Sequence, residues 1–131
     1  MSARLEHVGL WVADIDRVAE FYAKYFGAQV GELYRNARKG FESRFVSFSS
    51  GARLEIMRTT SFCPVEHDAG AQRMGLTHLA LSVGSESQVN QLTERLRSDG
   101  HPVVDGPRRT GDGYFESVIL DPDGNRVEIC A

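Results

Sequence analysis

The feature that most constrains the fold of this chain is an internal repeat. Residues 5–12 and residues 76–83 share one pattern, in which a histidine precedes alternating apolar positions, and His78 lies 71 residues after His7. Alternation with a period of two predicts a half-buried strand in each run. A repeat of this kind indicates that the chain is built from two copies of one supersecondary unit.

Each predicted strand leads into a predicted helix. Asp14 or Asp16 can cap the first helix and Gly27 can end it, because an aspartate accepts from free backbone N–H groups and glycine adopts a left-handed conformation. Ser85 and Gln88 have the spacing of a capping box at the start of the second helix. Apolar residues recur at helical spacing, namely Ile15, Val18, Ala19, Tyr22 and Phe26 in the first helix and Val89, Leu92 and Leu96 in the second.

Short strand-like runs close each half of the chain. They cover residues 45–48 and 53–57 in the first half, and residues 117–120 and 126–130 in the second, where a Pro-Asp-Gly turn separates them. Each half therefore follows the order strand, helix, then two or three antiparallel strands.

The predicted fold class is α+β, with two tandem βαβββ modules in a single domain of residues 1–131. The first module covers about residues 1–58, a connector covers residues 59–75, and the second module covers about residues 76–131.

The composition excludes several classes of protein. Apolar residues make up 41% and charged residues 25% of the 131 positions, which is typical of a globular chain. A net charge of −3 with scattered basic residues gives no surface for nucleic acid. No apolar run approaches the roughly 20 residues of a membrane span, and the N-terminus has no signal-peptide pattern. With only Cys63 and Cys130 as thiols, we expect a cytoplasmic protein without disulfides and without nucleic-acid or membrane partners.

The repeat places a histidine on the first strand and a glutamate on the last strand of each half. These residues are His7 and Glu55, then His78 and Glu128. Because side chains alternate across a strand, parity puts all four on the face opposite the apolar positions. If a curved mixed sheet wraps around that face, the four side chains line one cavity. Imidazole and carboxylate donors suit a divalent transition metal, so we expect one Ni, Zn or Co ion per site.

The same residues carry a resemblance to a known family. The first half contains His-Val-Gly-Leu at 7–10, Phe-Tyr at 21–22 and Arg-Leu-Glu-Ile at 53–56, and the second contains Thr-His-Leu-Ala at 77–80 and Asp-Pro-Asp-Gly-Asn-Arg-Val-Glu at 121–128. Over essentially the full length, these motifs resemble the glyoxalase/bleomycin-resistance/extradiol-dioxygenase group, also called the vicinal oxygen chelate superfamily. The order His-Glu-His-Glu resembles bacterial glyoxalase I.

That resemblance implies an activity and an assembly. Glyoxalase I isomerises a thiol adduct of an α-ketoaldehyde, such as methylglyoxal, by moving a proton between adjacent carbons through an enediolate. By resemblance, His7, Glu55, His78 and Glu128 hold the metal, and Glu128, with Glu55 as the second catalytic carboxylate, moves the proton. Sites of this family commonly form between two subunits, which implies a homodimer. His7 and Glu55 of one subunit would then face His78 and Glu128 of the other, around a small-molecule substrate.

At the positions where glyoxalase I binds the thiol part of its substrate, this chain has different residues. Where that family has an arginine, an asparagine and a second arginine, this chain has Trp11, Thr59 and Met74. A thiol other than glutathione is therefore an alternative, and Trp11 is expected to offer the substrate an apolar wall. Arg108 and Arg109 precede a glycine-containing run and are candidates for an anion clamp on a flexible loop, with solvated loop charge as the alternative.

Three other functions stay open from the sequence. An extradiol dioxygenase uses two histidines and one glutamate on iron(II), with positions left for oxygen and a catechol. A thiol transferase of the fosfomycin-resistance type also uses three ligands, and Glu55 as a fourth ligand argues against both. A metal-free protein that sequesters an antibiotic requires none of the four candidate metal ligands, and all four are present here.

Overall fold

The structure is a computed structural model that describes residues 1–61, 71 and 74–131. The chain divides into two compact units, residues 1–64 and residues 65–131. The first unit contains β1 (His7–Trp11), α1 (Ile15–Phe26), β2 (Gln29–Val30), β3 (Tyr34–Asn36), β4 (Phe41–Ser47) and β5 (Arg53–Thr59). The second contains β6 (His78–Ser82), α2 (Glu86–Ser98), β7 (Val103–Arg109), β8 (Phe115–Leu120) and β9 (Arg126–Cys130).

Both helices begin at the caps that the sequence predicts. The Asp14 carboxylate accepts from the backbone N–H of Arg17 at 3.1 Å, and the Ser85 hydroxyl accepts from the backbone N–H of Gln88 at 3.2 Å. Each cap satisfies a donor that the first helical turn leaves free. Gly27 ends α1 with a φ of 65°, a left-handed conformation that favours glycine.

Each unit pairs its first strand with its last strand. The strand order is β1-β5-β4-β2 in the first unit, with β3 also paired to β4, and β6-β9-β8-β7 in the second. The β1–β5 and β6–β9 pairs are parallel, and the other pairs are antiparallel. The second unit is βαβββ as predicted, and the first adds the short strand β3, which confirms a mixed α+β class.

The core of each unit lies between its helix and one face of its sheet. Helix α1 packs against β2, β4 and β5, and α2 packs against β7, β8 and β9. Leu54 and Ile56 on β5, and Val127 and Ile129 on β9, are buried on the helix side. Their alternation leaves the residues between them on the other face. The buried helix residues are Ile15, Val18, Ala19, Phe21, Tyr22 and Tyr25 in α1 and Val89, Thr93 and Leu96 in α2.

Strand β7, like the short strands β2 and β3, lies where the sequence analysis assigned no strand. Arg108 and Arg109 are its last two residues, so the expectation that they lie on a flexible loop is wrong. The strand contains Gly106 and Pro107, which signal a loop in a sequence, and its pairing with β8 has two register shifts. A Cβ at position 106 would lie 2.6 Å from the carbonyl oxygen of Glu116, so only glycine fits this bend.

The connector predicted at residues 59–75 lies largely outside the described residues. Thr59 belongs to β5, so the last strand of the first half extends one residue beyond the predicted module. Cys63 lies among the residues that the structure does not describe. Among the described residues, no helix is long and apolar enough to cross a membrane.

A buried hydroxyl pair joins α2 to β8 and gives a test of the second core. The Thr93 hydroxyl donates to the carbonyl oxygen of Val89 at 2.6 Å and lies 2.6 Å from the Ser117 hydroxyl. Thr93→Val leaves the Ser117 hydroxyl without this partner, and we expect it to lower the free energy of unfolding by about 1–3 kcal/mol in a urea titration. The double variant Thr93→Val/Ser117→Ala should recover most of that loss. If the double variant loses as much free energy of unfolding as the two single variants added together, the unpaired hydroxyl is not the cause of the loss.

Candidate metal centre

The first histidine–glutamate pair lies on the β1–β5 pair of strands. In this parallel register His7 is opposite Arg53 and Gly9 is opposite Glu55, so the His7 and Glu55 side chains share one face. The His7 Nε2 atom lies 3.9 Å from Oε1 of Glu55. The His7 side chain is 41% exposed and the Glu55 side chain 20% exposed, so both are accessible to a small ligand.

The second pair repeats this arrangement on β6 and β9. His78 is opposite Arg126 and Ala80 is opposite Glu128, which is the same register as in the first unit. The His78 Nε2 atom lies 3.2 Å from Oε2 of Glu128, with side chains 39% and 20% exposed. The predicted parity is therefore correct within each unit.

The residue before each histidine contacts the Nδ1 atom of that histidine. The Glu6 carboxylate contacts Nδ1 of His7, and the Thr77 hydroxyl lies 2.9 Å from Nδ1 of His78. A partner on Nδ1 fixes the ring orientation and directs Nε2 to the metal in many metal sites. The hydrogen bond with His7, and then the one with Arg53, holds the pKa of Glu6 below its ordinary value.

The donor chemistry of each pair fits a divalent transition metal. An imidazole nitrogen and a carboxylate oxygen on one side of a sheet suit Zn, Ni or Co, whereas a Mg or Ca site takes oxygen donors. Within the part of the chain that the structure describes, no group of three or more His, Cys, Asp or Glu side chains is close enough to hold a metal. Each unit by itself therefore brings together two candidate ligands. We name His7 with Glu55 the first half-site and His78 with Glu128 the second half-site.

Aromatic side chains continue the face of the first half-site along β1. Trp11, two positions beyond Gly9, is 51% exposed, and its ring meets the Phe41 ring edge-on with centroids 6.0 Å apart. The Phe41 and Tyr34 rings are 6.2 Å apart. A Cβ at Gly9 would lie 2.7 Å from the end of the Met57 side chain, so glycine lets Met57 pack beside the pair.

A further carboxylate and a thiol lie on the face of the second half-site. In the β8–β9 register Glu116 is opposite Cys130 and Val118 is opposite Glu128, so all four share one face. Burial, and then the charge of Glu128, raises the pKa of Glu116. Burial, followed by the charges of Glu116 and Glu128, raises the pKa of the Cys130 thiol. Cys130 is thus a neutral thiol at neutral pH and a poor nucleophile.

The two arginines predicted as a clamp lie on opposite faces of the second sheet. Arg108 is opposite Glu116 in the register, and Arg109 is opposite Phe115. Because Glu116 shares the face of Glu128, Arg108 lies on the side of the half-site and Arg109 lies on the helix side.

Both arginines also have carboxylate partners. Arg108 Nη2 lies 2.8 Å from the Asp105 carboxylate, and this hydrogen bond lowers the pKa of Asp105. Arg109 contacts the Glu86 carboxylate and donates to the Gly113 carbonyl oxygen at 3.3 Å.

A buried aspartate orders the turn that leads into Glu128. Asp121 is 4% exposed, and its Oδ1 accepts from the backbone N–H groups of Asp123 and Asn125 at 3.0 and 2.9 Å. Sequence reasoning identified this turn from Pro and Gly but missed the role of Asp121. Asp and Asn at such spacing are the signal that was available.

Comparisons with known proteins agree with this architecture. A family model described as the Glyoxalase/Bleomycin resistance protein/Dioxygenase superfamily matches residues 4–129. The chain is 28% identical over 130 residues to the uncharacterized protein YqjT of Bacillus subtilis, covering 97% of this chain and 98% of that protein. It is 27% identical over 128 residues to a lactoylglutathione lyase of Salmonella typhimurium, covering 96% and 90%. A glyoxylase/bleomycin resistance protein/dioxygenase domain from Frankia sp. EAN1pec has the same fold, with a TM-score of 0.81 at 20% identity over 99% of this chain and 98% of that one.

The raised pKa of Glu116 predicts a pH-dependent stability. A carboxyl whose pKa is higher in the folded than in the unfolded state favours folding below the unfolded pKa, and that contribution is lost as the pH rises through the folded pKa. Glu116→Gln should therefore raise the melting temperature of metal-free protein at pH 7 more than at pH 4. Thermal melts with a chelator present at both pH values measure this difference. An equal shift at both pH values would show that the charge of Glu116 is not the cause.

Proposed function

Because this chain belongs to the Glyoxalase/Bleomycin resistance protein/Dioxygenase superfamily, we propose that it is a metal-dependent lyase of the glyoxalase I type. Such an enzyme isomerises a thiol adduct of an α-ketoaldehyde by moving a proton between adjacent carbons. The observation that carries the proposal is the pair of half-sites, in which His7 faces Glu55 and His78 faces Glu128 in the same strand register. The similarity to a lactoylglutathione lyase over 96% of the chain supports it.

The proposed metal is held by both half-sites together. Structural and catalytic sites for Zn and related ions use three or four protein ligands, and each half-site has two. We propose that the chain forms a homodimer in which His7 and Glu55 of one copy and His78 and Glu128 of the partner subunit hold one Ni, Zn or Co ion. When bound, the metal would act as a Lewis acid on the adjacent oxygens of the substrate.

Glu128 is the proposed base that moves the proton. Its side chain is 20% exposed and its Oε2 lies 3.2 Å from His78, so it is both held in place and open to a small molecule. A placed carboxylate can remove a proton from one carbon and return it to the neighbouring carbon. Glu55 has the same exposure in the first half-site and is the proposed second carboxylate.

The part of the substrate that does not react is proposed to lie against Trp11, Phe41 and Tyr34. These rings continue the face of the first half-site, and stacking on them suits a flat or apolar group. Arg108 remains a candidate contact for a substrate anion, although its guanidinium already pairs with Asp105. Arg109 lies on the opposite face and is no longer proposed for this role.

The first test is a screen for activity with a matched variant. Metal-reconstituted protein is given methylglyoxal premixed with glutathione or with other thiols, in the absence of oxygen. Glu128→Gln keeps an oxygen near the metal but removes the base, so turnover should fall by about 10² to 10⁴-fold. Elemental analysis should show a much smaller change in bound metal. Glu94→Gln, an exposed carboxylate of α2 that pairs with Arg97, is the control and should retain full activity.

Several outcomes would contradict the lyase. Wild-type protein that binds a stoichiometric metal but turns over no thiol adduct would exclude this reaction. Oxygen uptake with a catechol on iron(II) would assign the chain to dioxygenase chemistry. Protein that neither binds a metal nor turns over substrate would favour sequestration of a small molecule.

A second test addresses the shared site. Light scattering at micromolar concentration should give twice the 14.5 kDa mass of one chain. His7→Ala and His78→Ala should each be inactive as pure dimers, because both sites lose a ligand. Mixed dimers of the two variants regain one intact site of two, so an equal mixture should recover about a quarter of the activity. A monomer, or a mixture that stays inactive, would exclude ligands shared between subunits.

A further inference from the structure

We propose that Glu6, Phe45 and Arg53 are positioning residues that fix the orientation of the His7 ring and leave its Nε2 atom without a proton. We call these three residues the imidazole clamp. The first half-site would then bind the metal more tightly than the second. This inference rests on the proposed function, because it takes His7 as a metal ligand. The contacts that support it all lie within the first unit.

The imidazole clamp is a closed ring of contacts. The Glu6 carboxylate contacts Nδ1 of His7, and the Nε atom of Arg53 donates to the same carboxylate at 2.9 Å. The Arg53 guanidinium lies 4.0 Å from the centre of the Phe45 ring. The Phe45 ring meets the His7 ring edge-on, with centroids 5.4 Å apart and planes at 89°. The imidazole is thus held at one nitrogen and by a perpendicular ring contact with Phe45.

The second half-site keeps an arginine opposite its histidine, Arg126 in place of Arg53, but differs at the other two positions. Thr77 precedes His78 where Glu6 precedes His7, and Val118 is opposite Glu128 where Phe45 is opposite Glu55. Valine has no ring to pack against an imidazole or a guanidinium. Threonine is neutral, so it forms no ion pair that would hold it in place.

The chemistry of the two outer partners also differs. An ionised carboxylate only accepts hydrogen bonds, so in a neutral His7 ring Glu6 requires the proton to be on Nδ1, and Nε2 then keeps its lone pair. A hydroxyl both donates and accepts, so Thr77 is compatible with either tautomer of His78. In the neutral ring, the Nε2 lone pair of His7 is therefore already oriented toward the proposed metal position before a metal binds.

The experiment exchanges the outer partners on the full chain. Glu6→Thr installs the residue of the second half-site in the first, and Thr77→Val is the matched control that removes a hydroxyl partner. In metal-free protein, long-range proton–nitrogen NMR should show His7 with its proton on Nδ1, and Glu6→Thr should shift it toward Nε2 while His78 is unchanged. Competition titration with Zn²⁺ should show affinity lower by about 10–100-fold in Glu6→Thr. Thr77→Val should lower the Zn²⁺ affinity by a clearly smaller factor.

Glu6→Gln separates the hydrogen bond from the charge. Its amide oxygen still accepts from Nδ1, so this variant should keep the His7 tautomer and lose only part of the affinity. The inference is overturned if Glu6→Thr leaves the tautomer unchanged, or if Thr77→Val weakens Zn²⁺ binding as much as Glu6→Thr. The tautomer is read without metal or substrate, so a protein with the predicted tautomers and Zn²⁺ affinities but no lyase activity would refute the proposed function alone.

Discussion

The parallel pairing of the first and last strands in each unit is the constraint on which the candidate site depends. Residues opposite each other in a sheet share a face, so one register decides that His7 and Glu55 meet and that Leu54 and Ile56 enter the core. A shift of one residue would bury the glutamate and expose the apolar pair. Packing of the helix against the apolar face therefore also places the polar pair, and the same holds for β6, β9 and α2.

The two halves keep that register but differ in what surrounds it. The first half-site has charged and aromatic neighbours, with Arg53 between Glu6 and Phe45. The second has carboxylates on its face, and burial raises the pKa of Glu116. A duplicated supersecondary unit thus provides two equivalent geometries with unequal chemistry. Such inequality suits the proposed site, in which two carboxylates would hold the metal and one of them, Glu128, is the principal base.

The parts of the molecule that could be predicted from the sequence depend on local periodicity and caps. Asp14, Gly27 and Ser85 mark helix ends through contacts within a few residues, and alternation fixes which face a strand residue occupies. Strand β7 was missed because its glycine, its proline and its register shifts remove the periodic signal. The contact of Glu6 with Arg53 was missed because it links positions 47 residues apart, and the contact of Phe45 with Arg53 was missed because it depends on the strand register.

The same first-to-last pairing has a consequence for the order of folding. His7 and Glu55 belong to strands at the two ends of the first unit, so their approach closes most of that unit's chain into a loop, whereas β4 and β5 are joined by a short turn. Closing a long loop costs more conformational entropy than closing a short one, and contacts distant in sequence slow folding. Hairpins and the helix can therefore form before β1 docks on β5. The His7–Glu55 pair then exists only in a unit that has completed its topology, so a metal bound at the proposed site would require a finished fold.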